Sequence, residues 1–220
     1  RALPEEEMIR LTILHTNDTH SRIEPFPEDD GRYAGLGGIA RRATLVEQVR
    51  EQQDRVLLLD AGDIFQGTPY FTKYGGELEF KAMSTMGYDV STIGNHDFDA
   101  GIDGLVEQWP HADFPFVSAN YDFSDTSLAG RIPPYVILNR KPLKVGIFGL
   151  GIELEGLVPA KMYGQTRYTD PLAAANAVSK KLRKEEDCDY VICLSHLGYK
   201  YDSDKVSDRI IARETEYIDL

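Results

Sequence analysis

The stretch RVLLLDAGDIFQG, residues 55–67, joins a nearly all-apolar run to a polar, glycine-containing segment. A short continuous apolar run such as residues 55–60 is typical of a β-strand that is covered on both faces. Asp60 ends this run, and Asp63 follows it directly after Gly62. The stretch therefore predicts a buried strand of a parallel sheet whose carboxyl end carries carboxylates.

Strands and helices alternate along the rest of the chain in the same way. The apolar patterns predict strands at residues 9–15, 55–60, 89–93, 114–120 and 190–195, a hairpin at residues 134–150 that turns at 139–142, and the start of a strand at 217–220. Helical spacing predicts helices at residues 37–53, 77–86, 102–109, 170–186 and 204–214. Asp170 is the expected N-cap of its helix, with Pro171 in the first turn. This alternation predicts a single α/β domain.

Composition limits the classes of function. The 220 residues are 42% hydrophobic and 27% charged, as in an ordinary globular protein, and no apolar run has the length of a membrane span. The net charge of −12 argues against a nucleic acid as partner, because phosphate backbones require a basic surface. Cys188 and Cys193 would lie ~16 Å apart along an extended strand, so we expect them to be packing residues without a disulfide.

Polar side chains gather where four of the predicted strands end. In an open parallel sheet, ligands bind beyond the carboxyl ends of the strands. Each motif alone is compatible with a turn or a helix cap, but their joint occurrence at four strand ends indicates a shared site. These residues are Asp18 and His20 after the first strand, Asp60 and Asp63 after the second, Asn95, His96, Asp97 and Asp99 after the third, and His196 after the last.

The chemistry of this set favours metal ions. It contains no thiolate, which argues against a closed structural zinc site. Carboxylate, imidazole and amide donors suit divalent ions such as Zn, Mn, Co or Fe, and a carboxylate can bridge two of them. Such ions would also make the rim locally positive, so that an acidic protein could hold a phosphate there.

The motifs TNDTHS (16–21), GDIFQGT (62–68), GNHDFDAG (94–101) and SHLG (195–198), in this order, resemble the metallophosphoesterase (calcineurin-like) superfamily. They are most similar to the N-terminal catalytic domain of bacterial 5′-nucleotidases and UDP-sugar hydrolases. The likeness runs from about residue 9 to residue 220. It implies a four-layer α/β/β/α sandwich with two packed sheets between helices.

The resemblance also implies a ligand set for two divalent metal ions, zinc, manganese or similar. Asp18 and His20 match the ligands of one ion, and Asp63 matches the carboxylate that bridges to the second. Asn95 and His196 match the ligands of that second ion. The activity implied is hydrolysis of nucleotide phosphate esters by a metal-bridging hydroxide.

His96 and Asp99 match the catalytic pair of the family, which does not bind metal. His96 would stabilise charge at the phosphoryl group or protonate the leaving oxygen, and Asp99 would orient its ring. For Asp97 we expect only a cap or a local hydrogen bond.

Several expectations depend on the extent of the domain and on its substrate. We expect a metallophosphoesterase domain over residues 1–220 that is incomplete at its C-terminal end. The family's Gly-Gly-His-x-His loop, with one further ligand for each metal, and its nucleoside-binding domain do not occur in these residues.

Two alternative functions remain: hydrolysis of 2′,3′-cyclic nucleotides or nucleotide sugars, and a truncated, inactive domain that binds metal or phosphate. The resemblance also implies a periplasmic or extracellular location and a small-molecule nucleotide as the partner.

Overall fold

Two β-sheets form the centre of the computed structural model, which describes residues 8–220. All neighbours in the first sheet are parallel, in the order β1-β2-β3-β4. Its strands are β1 (Thr12–Thr16), β2 (Val56–Asp60), β3 (Val90–Thr92) and β4 (Phe116–Val117). Because the four strands run in one direction, their carboxyl ends lie along the same edge.

The remaining strands form a small pair and a second sheet. They are β5 (Tyr121–Asp122), β6 (Tyr135–Arg140), β7 (Leu143–Gly151), β8 (Arg167–Tyr168) and β9 (Tyr190–His196). β5 and β8 pair antiparallel. In the second sheet, β6 and β7 form the predicted hairpin, and β9 lies parallel to β7 on its other side.

Seven α-helices accompany the strands in the described part of the chain. They are α1 (Ile39–Gln52), α2 (Pro69–Tyr74), α3 (Glu77–Met86), α4 (Gly101–Gln108), α5 (Ala160–Tyr163), α6 (Pro171–Lys184) and α7 (Asp208–Glu214). The predicted cap of α6 is confirmed, because the Asp170 carboxylate accepts N–H bonds from Leu172 at 2.8 Å and Ala173 at 3.2 Å. None of the helices within residues 8–220 has the length and apolar character needed to cross a bilayer.

The core shows how these elements stack. Side chains alternate along a strand, so Leu57 and Leu59 face one way and Leu58 the other. Leu57 and Leu59 pack between the two sheets, with Val145 and Ile147 of β7 among their neighbours. Leu58 packs instead in the hydrophobic cluster between the first sheet and the helices that precede β4. The run at residues 55–60 is apolar throughout because both of its faces are covered.

A helical layer covers the outer face of each sheet. Val46, Phe80 and Leu105 of α1, α3 and α4 pack on the first sheet, while Leu182 and Ile211 of α6 and α7 pack on the second. This arrangement of helices, sheet, sheet and helices confirms the predicted α/β/β/α sandwich.

Some expected boundaries were wrong. β1 begins at Thr12, not at residue 9, because its partner β2 begins opposite Thr12 and leaves residues 9–11 without a strand residue to pair with. Residues 217–220 form no regular strand, although Asp219 donates to the Val191 carbonyl at 2.9 Å and Leu220 accepts from Cys193 at 2.8 Å. Sequence periodicity also missed β5 and β8, which have two residues each.

The expectation for the cysteines is confirmed. Cys188 and Cys193 carry free thiols, and both pack in the cluster between the second sheet and its helices. They act as small apolar residues at these positions.

Candidate metal centre

The polar residues at the strand ends meet at one edge of the sandwich. Asp18 and His20 follow β1, Asp63 follows β2, and His96 follows β3, all in the first sheet. His196 is the last residue of β9, which belongs to the second sheet. These side chains meet where the edges of two sheets come together, whereas the sequence predicted the rim of one sheet.

Asp63 lies at the centre of this cluster. Its Oδ2 is 3.3 Å from His20 Nε2 and 3.2 Å from His196 Nε2, and His20 Nε2 lies 3.6 Å from Asp18 Oδ1. Within residues 8–220, two groups of three side chains have donor atoms within 4.8 Å of one another: His20, Asp63 and His96, and Asp18, Asp63 and His196. Asp63 belongs to both groups, as a bridging carboxylate would. The groups place His20 with His96 and Asp18 with His196, whereas the predicted ligand sets place Asp18 with His20 and Asn95 with His196.

The residues present fit divalent metal ions. The clustered donors are imidazole nitrogens and carboxylate oxygens, which suit ions such as Zn and Mn. One oxygen of the central Asp63 carboxylate, Oδ2, lies near the imidazoles of both His20 and His196, so the same residues could serve two neighbouring ions.

Asn95 lies next to this centre in the sequence. It immediately precedes His96, whose N–H donates to Asp63 Oδ1 at 2.8 Å. Asn95 is half-buried, and its role as a ligand stays a prediction.

His96 and Asp99 form the predicted contact. His96 Nδ1 is 3.0 Å from Asp99 Oδ2 and 3.2 Å from Oδ1, so the carboxylate holds Nδ1 as the protonated nitrogen and orients the ring. His96 Nε2 lies 3.5 Å from Gln66 Nε2, and the ring meets that of His20 edge to face at 5.2 Å. Because His96 also lies among the metal-capable donors, its role as a non-ligand stays a prediction.

The charges of Asp63 and His196 depend on each other. Burial acts to raise the pKa of Asp63, but the hydrogen bond and charge of His196 outweigh it and hold that pKa below its usual range. Burial acts to lower the pKa of His196, but the hydrogen bond and charge of Asp63 raise it to about 9. His196 Nδ1 donates to the Ala61 carbonyl at 2.8 Å, and this bond directs Nε2 toward the centre.

Backbone hydrogen bonds join the two loops that carry Asp18, His20 and Asp63. The N–H groups of Asp18, His20 and Ser21 donate to the carbonyls of Gly62, Asp63 and Ile64 at 2.9, 3.1 and 2.8 Å. Asp18, His20, Ser21 and Asp63 all have positive φ angles, between 46° and 57°. Non-glycine residues rarely adopt this conformation, and such strain concentrates at functional sites. Sequence reasoning missed this pairing of the two loops.

Asp60 forms hydrogen bonds that hold together the strands next to the metal centre. Its fully buried carboxylate accepts from Thr16 Oγ1 at 2.6 Å, Gly62 N at 2.9 Å and Ser91 Oγ at 3.0 Å. Burial raises its pKa to about 6, while these hydrogen bonds act in the opposite direction. Asp60 therefore ties β1, β2 and β3 together and does not belong to the cluster of metal-capable donors.

Gly94 allows the close approach of the loops after β2 and β3. A Cβ atom at this position would overlap with Asp63 Oδ1 and with the Asp63 backbone nitrogen. We expect Gly94→Ala to displace Asp63 and to weaken metal binding at least ~10–100-fold, the scale on which disturbed ligand support acts. Isothermal titration with Mn²⁺ would measure the loss.

Gly67→Ala is the matched control for this substitution. It lies in the same Asp63 loop, and a Cβ there meets nothing within 4 Å. Unchanged Mn²⁺ affinity in Gly94→Ala, or equal losses in the two variants, would contradict the assigned geometry.

Known proteins are similar to this chain over most of its length. The profile of the calcineurin-like phosphoesterase family matches residues 11–219. Snake venom 5′-nucleotidase from Gloydius brevicauda is 37% identical over 217 residues, which are 96% of this chain and 36% of that protein. The crystal structure of a 5′-nucleotidase precursor from Thermus thermophilus superimposes with a TM-score of 0.76 and 36% identity, over 86% of this chain and 37% of that one.

A second solved structure shows the same fold at lower identity. NAD nucleotidase from Haemophilus influenzae superimposes with a TM-score of 0.76 and 28% identity, over 94% of this chain and 41% of that one. The chain spans a little over a third of the length of the curated relatives that it matches.

Proposed function

Because the chain belongs to the calcineurin-like phosphoesterase family, whose members are hydrolases, we propose that it is a dinuclear metal-dependent phosphoesterase acting on nucleotide phosphate esters, as 5′-nucleotidases do. The observation that carries the proposal is the position of Asp63 Oδ2, 3.3 Å from the His20 imidazole and 3.2 Å from the His196 imidazole. A carboxylate common to two groups of donors could bridge two neighbouring ions.

The ligands divide between two ions in this proposal. Asp18, His20 and Asp63 would hold one ion, and Asp63, Asn95 and His196 would hold the other, with Zn or Mn as the expected metals. When bound, such ions would supply positive charge to the phosphoryl oxygens and activate a water for in-line attack. Asn95 is a neutral ligand, so it adds a bond without cancelling charge.

His96 acts on the leaving side of the phosphate ester. Its Nδ1–H is held by Asp99, so the imidazolium form, which also carries a proton on Nε2, would donate that Nε2 proton or a hydrogen bond to the oxygen that departs. A protonated ring would also stabilise the charge that builds on the phosphoryl group. Asp99 acts through His96 by fixing its orientation.

Two other classes of substrate are alternatives to nucleotide monophosphates. Nucleotide sugars and other substrates that contain a pyrophosphate are one class, and a similar structure is that of an NAD nucleotidase. 2′,3′-Cyclic nucleotides are another class. A domain that binds metal or phosphate without turnover is the remaining alternative, although the intact contact between His96 and Asp99 favours catalysis.

Chromatography of the products formed from three substrates, with Mn²⁺ or Zn²⁺ added, tests these assignments. The expected products are adenosine and phosphate from AMP, 2′- or 3′-AMP from 2′,3′-cyclic AMP, and UMP with glucose 1-phosphate from UDP-glucose. We expect AMP to be hydrolysed fastest and a chelator to stop the reaction, since the metals supply the activated water. Faster turnover of either other substrate would identify that substrate class. Stoichiometric metal binding without turnover of any substrate would show a binding domain and overturn the proposal.

We also propose that the protein acts outside the cytoplasm. The support is a relative named as a snake venom protein and a similar structure named as a precursor. Immunodetection in fractionated cells of the source organism would test this, and detection confined to the cytosol would contradict it.

A further inference from the structure

Asp97 is a buried carboxylate that connects two loops of the metal centre. Its side chain is almost fully enclosed, and the residue is 1% exposed. Oδ2 accepts N–H bonds from Gly94 at 2.8 Å and Asp63 at 3.0 Å, and Oδ1 accepts from Ile64 at 2.8 Å and Phe65 at 3.3 Å. One of these bonds is local, and the other three reach the loop after β2.

The loop after β2 needs a hydrogen-bond acceptor beside the N–H groups of residues 63–65. Residues 63–65 belong to no helix or strand, so their N–H groups have no partner in regular structure. The left-handed conformations of Gly62 (φ 93°) and Asp63 (φ 57°) bring successive N–H groups toward one point, where they form an anion-binding concavity. The Asp97 carboxylate fills that concavity and satisfies donors that would otherwise be buried without a partner.

The bonds in the reverse direction involve the side chain of Asp63. The N–H of His96 donates to Asp63 Oδ1 at 2.8 Å. Oδ1 is therefore held by the loop after β3, while Oδ2 faces His20 and His196. The Asp97 carboxylate thus holds the backbone of Asp63, and the backbone N–H of His96 holds the side chain of Asp63.

We propose that Asp97 is a positioning residue, whose carboxylate fixes the loop of residues 62–65 so that Asp63 Oδ2 lies between the two groups of metal ligands. The inference rests on the metal-dependent function proposed above. It goes beyond a helix cap, because a cap would leave the Asp63 loop and both metal sites unaffected.

Asp97→Asn is the test variant because it keeps the size of the side chain. Its amide oxygen can still accept two N–H bonds, but its NH₂ group would face the other two donors. We expect amide hydrogen exchange of residues 62–65 in the metal-free protein to accelerate about tenfold or more, since local opening controls this exchange. We also expect Mn²⁺ affinity to fall at least ~10–100-fold at both sites.

Asp89→Asn is the matched control. The Asp89 carboxylate also accepts a backbone N–H, from Leu58 at 2.9 Å, and pairs with Arg140, but it precedes β3 at the opposite end of the strand. This variant should lower the thermal midpoint without altering exchange at residues 62–65 or Mn²⁺ affinity. Phosphate release from AMP by Asp97→Asn should recover toward the parent value at saturating Mn²⁺, and the exchange at residues 62–65 distinguishes this from a general loss of stability.

Asp97→Glu serves as a second variant, because it keeps the charge but moves the oxygens outward by one methylene. Amide hydrogen exchange of residues 62–65 should be slower in this variant than in Asp97→Asn. The variant should still bind Mn²⁺ more weakly than the parent chain. Unchanged Mn²⁺ affinity in both variants, or failure of both to fold, would overturn the positioning role. The exchange and Mn²⁺ measurements need no substrate, so an error in the proposed substrate leaves them interpretable.

Discussion

Asp63→Ala is expected to remove metal from both sites, whereas Asn95→Ala should weaken only one. Asp63 Oδ2 lies between His20 and His196, and Asp63 is the residue common to both groups of donors. Loss of a bridging carboxylate removes bonds to two ions and the negative charge that lowers their mutual repulsion. Asn95 supplies a single neutral ligand in the proposed site.

Metal analysis after equilibrium dialysis against Mn²⁺ or Zn²⁺ measures the number of ions that each variant retains. Asp63→Asn is the gentler companion, since it keeps an oxygen donor and the size of the side chain but loses the charge. We expect both Asp63 variants to retain fewer ions than Asn95→Ala. Equal loss of one ion in all three variants would show that Asp63 does not bridge.

His96→Ala is expected to lower kcat by roughly 10²–10⁴-fold while leaving metal content nearly intact. His96 contacts Asp99 through Nδ1 at 3.0 Å, the arrangement of a ring that is oriented for proton transfer or charge stabilisation. Its side chain is 33% exposed, so the ring is accessible to a substrate at the rim. The measurement is steady-state hydrolysis of the best substrate, beside metal analysis of the same samples.

Asp99→Asn is the comparison for this prediction. It keeps the imidazole and removes only the charged partner that orients it, so its effect on kcat should be smaller than that of His96→Ala. His20, Asp63 and His96 have donor atoms within 4.8 Å of one another, which makes metal content the deciding quantity. If His96→Ala lost an ion, His96 would be a ligand and its catalytic role would be wrong.

These predictions share one structural basis, which is the pairing of loops at the edge of the sandwich. Asp18, His20 and Asp63 are joined through backbone bonds between their loops, and Asp63 is joined to His96 through another. A change in any of these loops moves donors that lie far apart in the sequence. The effects of Asp63, Gly94 and Asp97 variants on metal binding should therefore be non-additive.

Local patterns in the sequence were sufficient for most of the regular elements. The helix at 77–86, the capped helix that begins after Asp170 and the hairpin that turns at residues 139–142 all form where they were predicted. These features depend on side-chain period, capping and turn chemistry, which act between residues a few positions apart. The polar residues at the strand ends were also visible, because each one follows directly on an apolar run.

The tertiary structure decided which distant residues meet. The apolar patterns predicted strands but not that β9 pairs with β7 in a second sheet. Only the family resemblance implied that His196 and Asp63 meet, and the packing of the two sheets brings them to 3.2 Å. Asp97 was expected to bond locally, yet three of its four N–H partners lie more than 30 residues away. No local pattern encodes such contacts, because they depend on which strands become neighbours and on backbone turns, as at Asp63, that only the surrounding packing can hold.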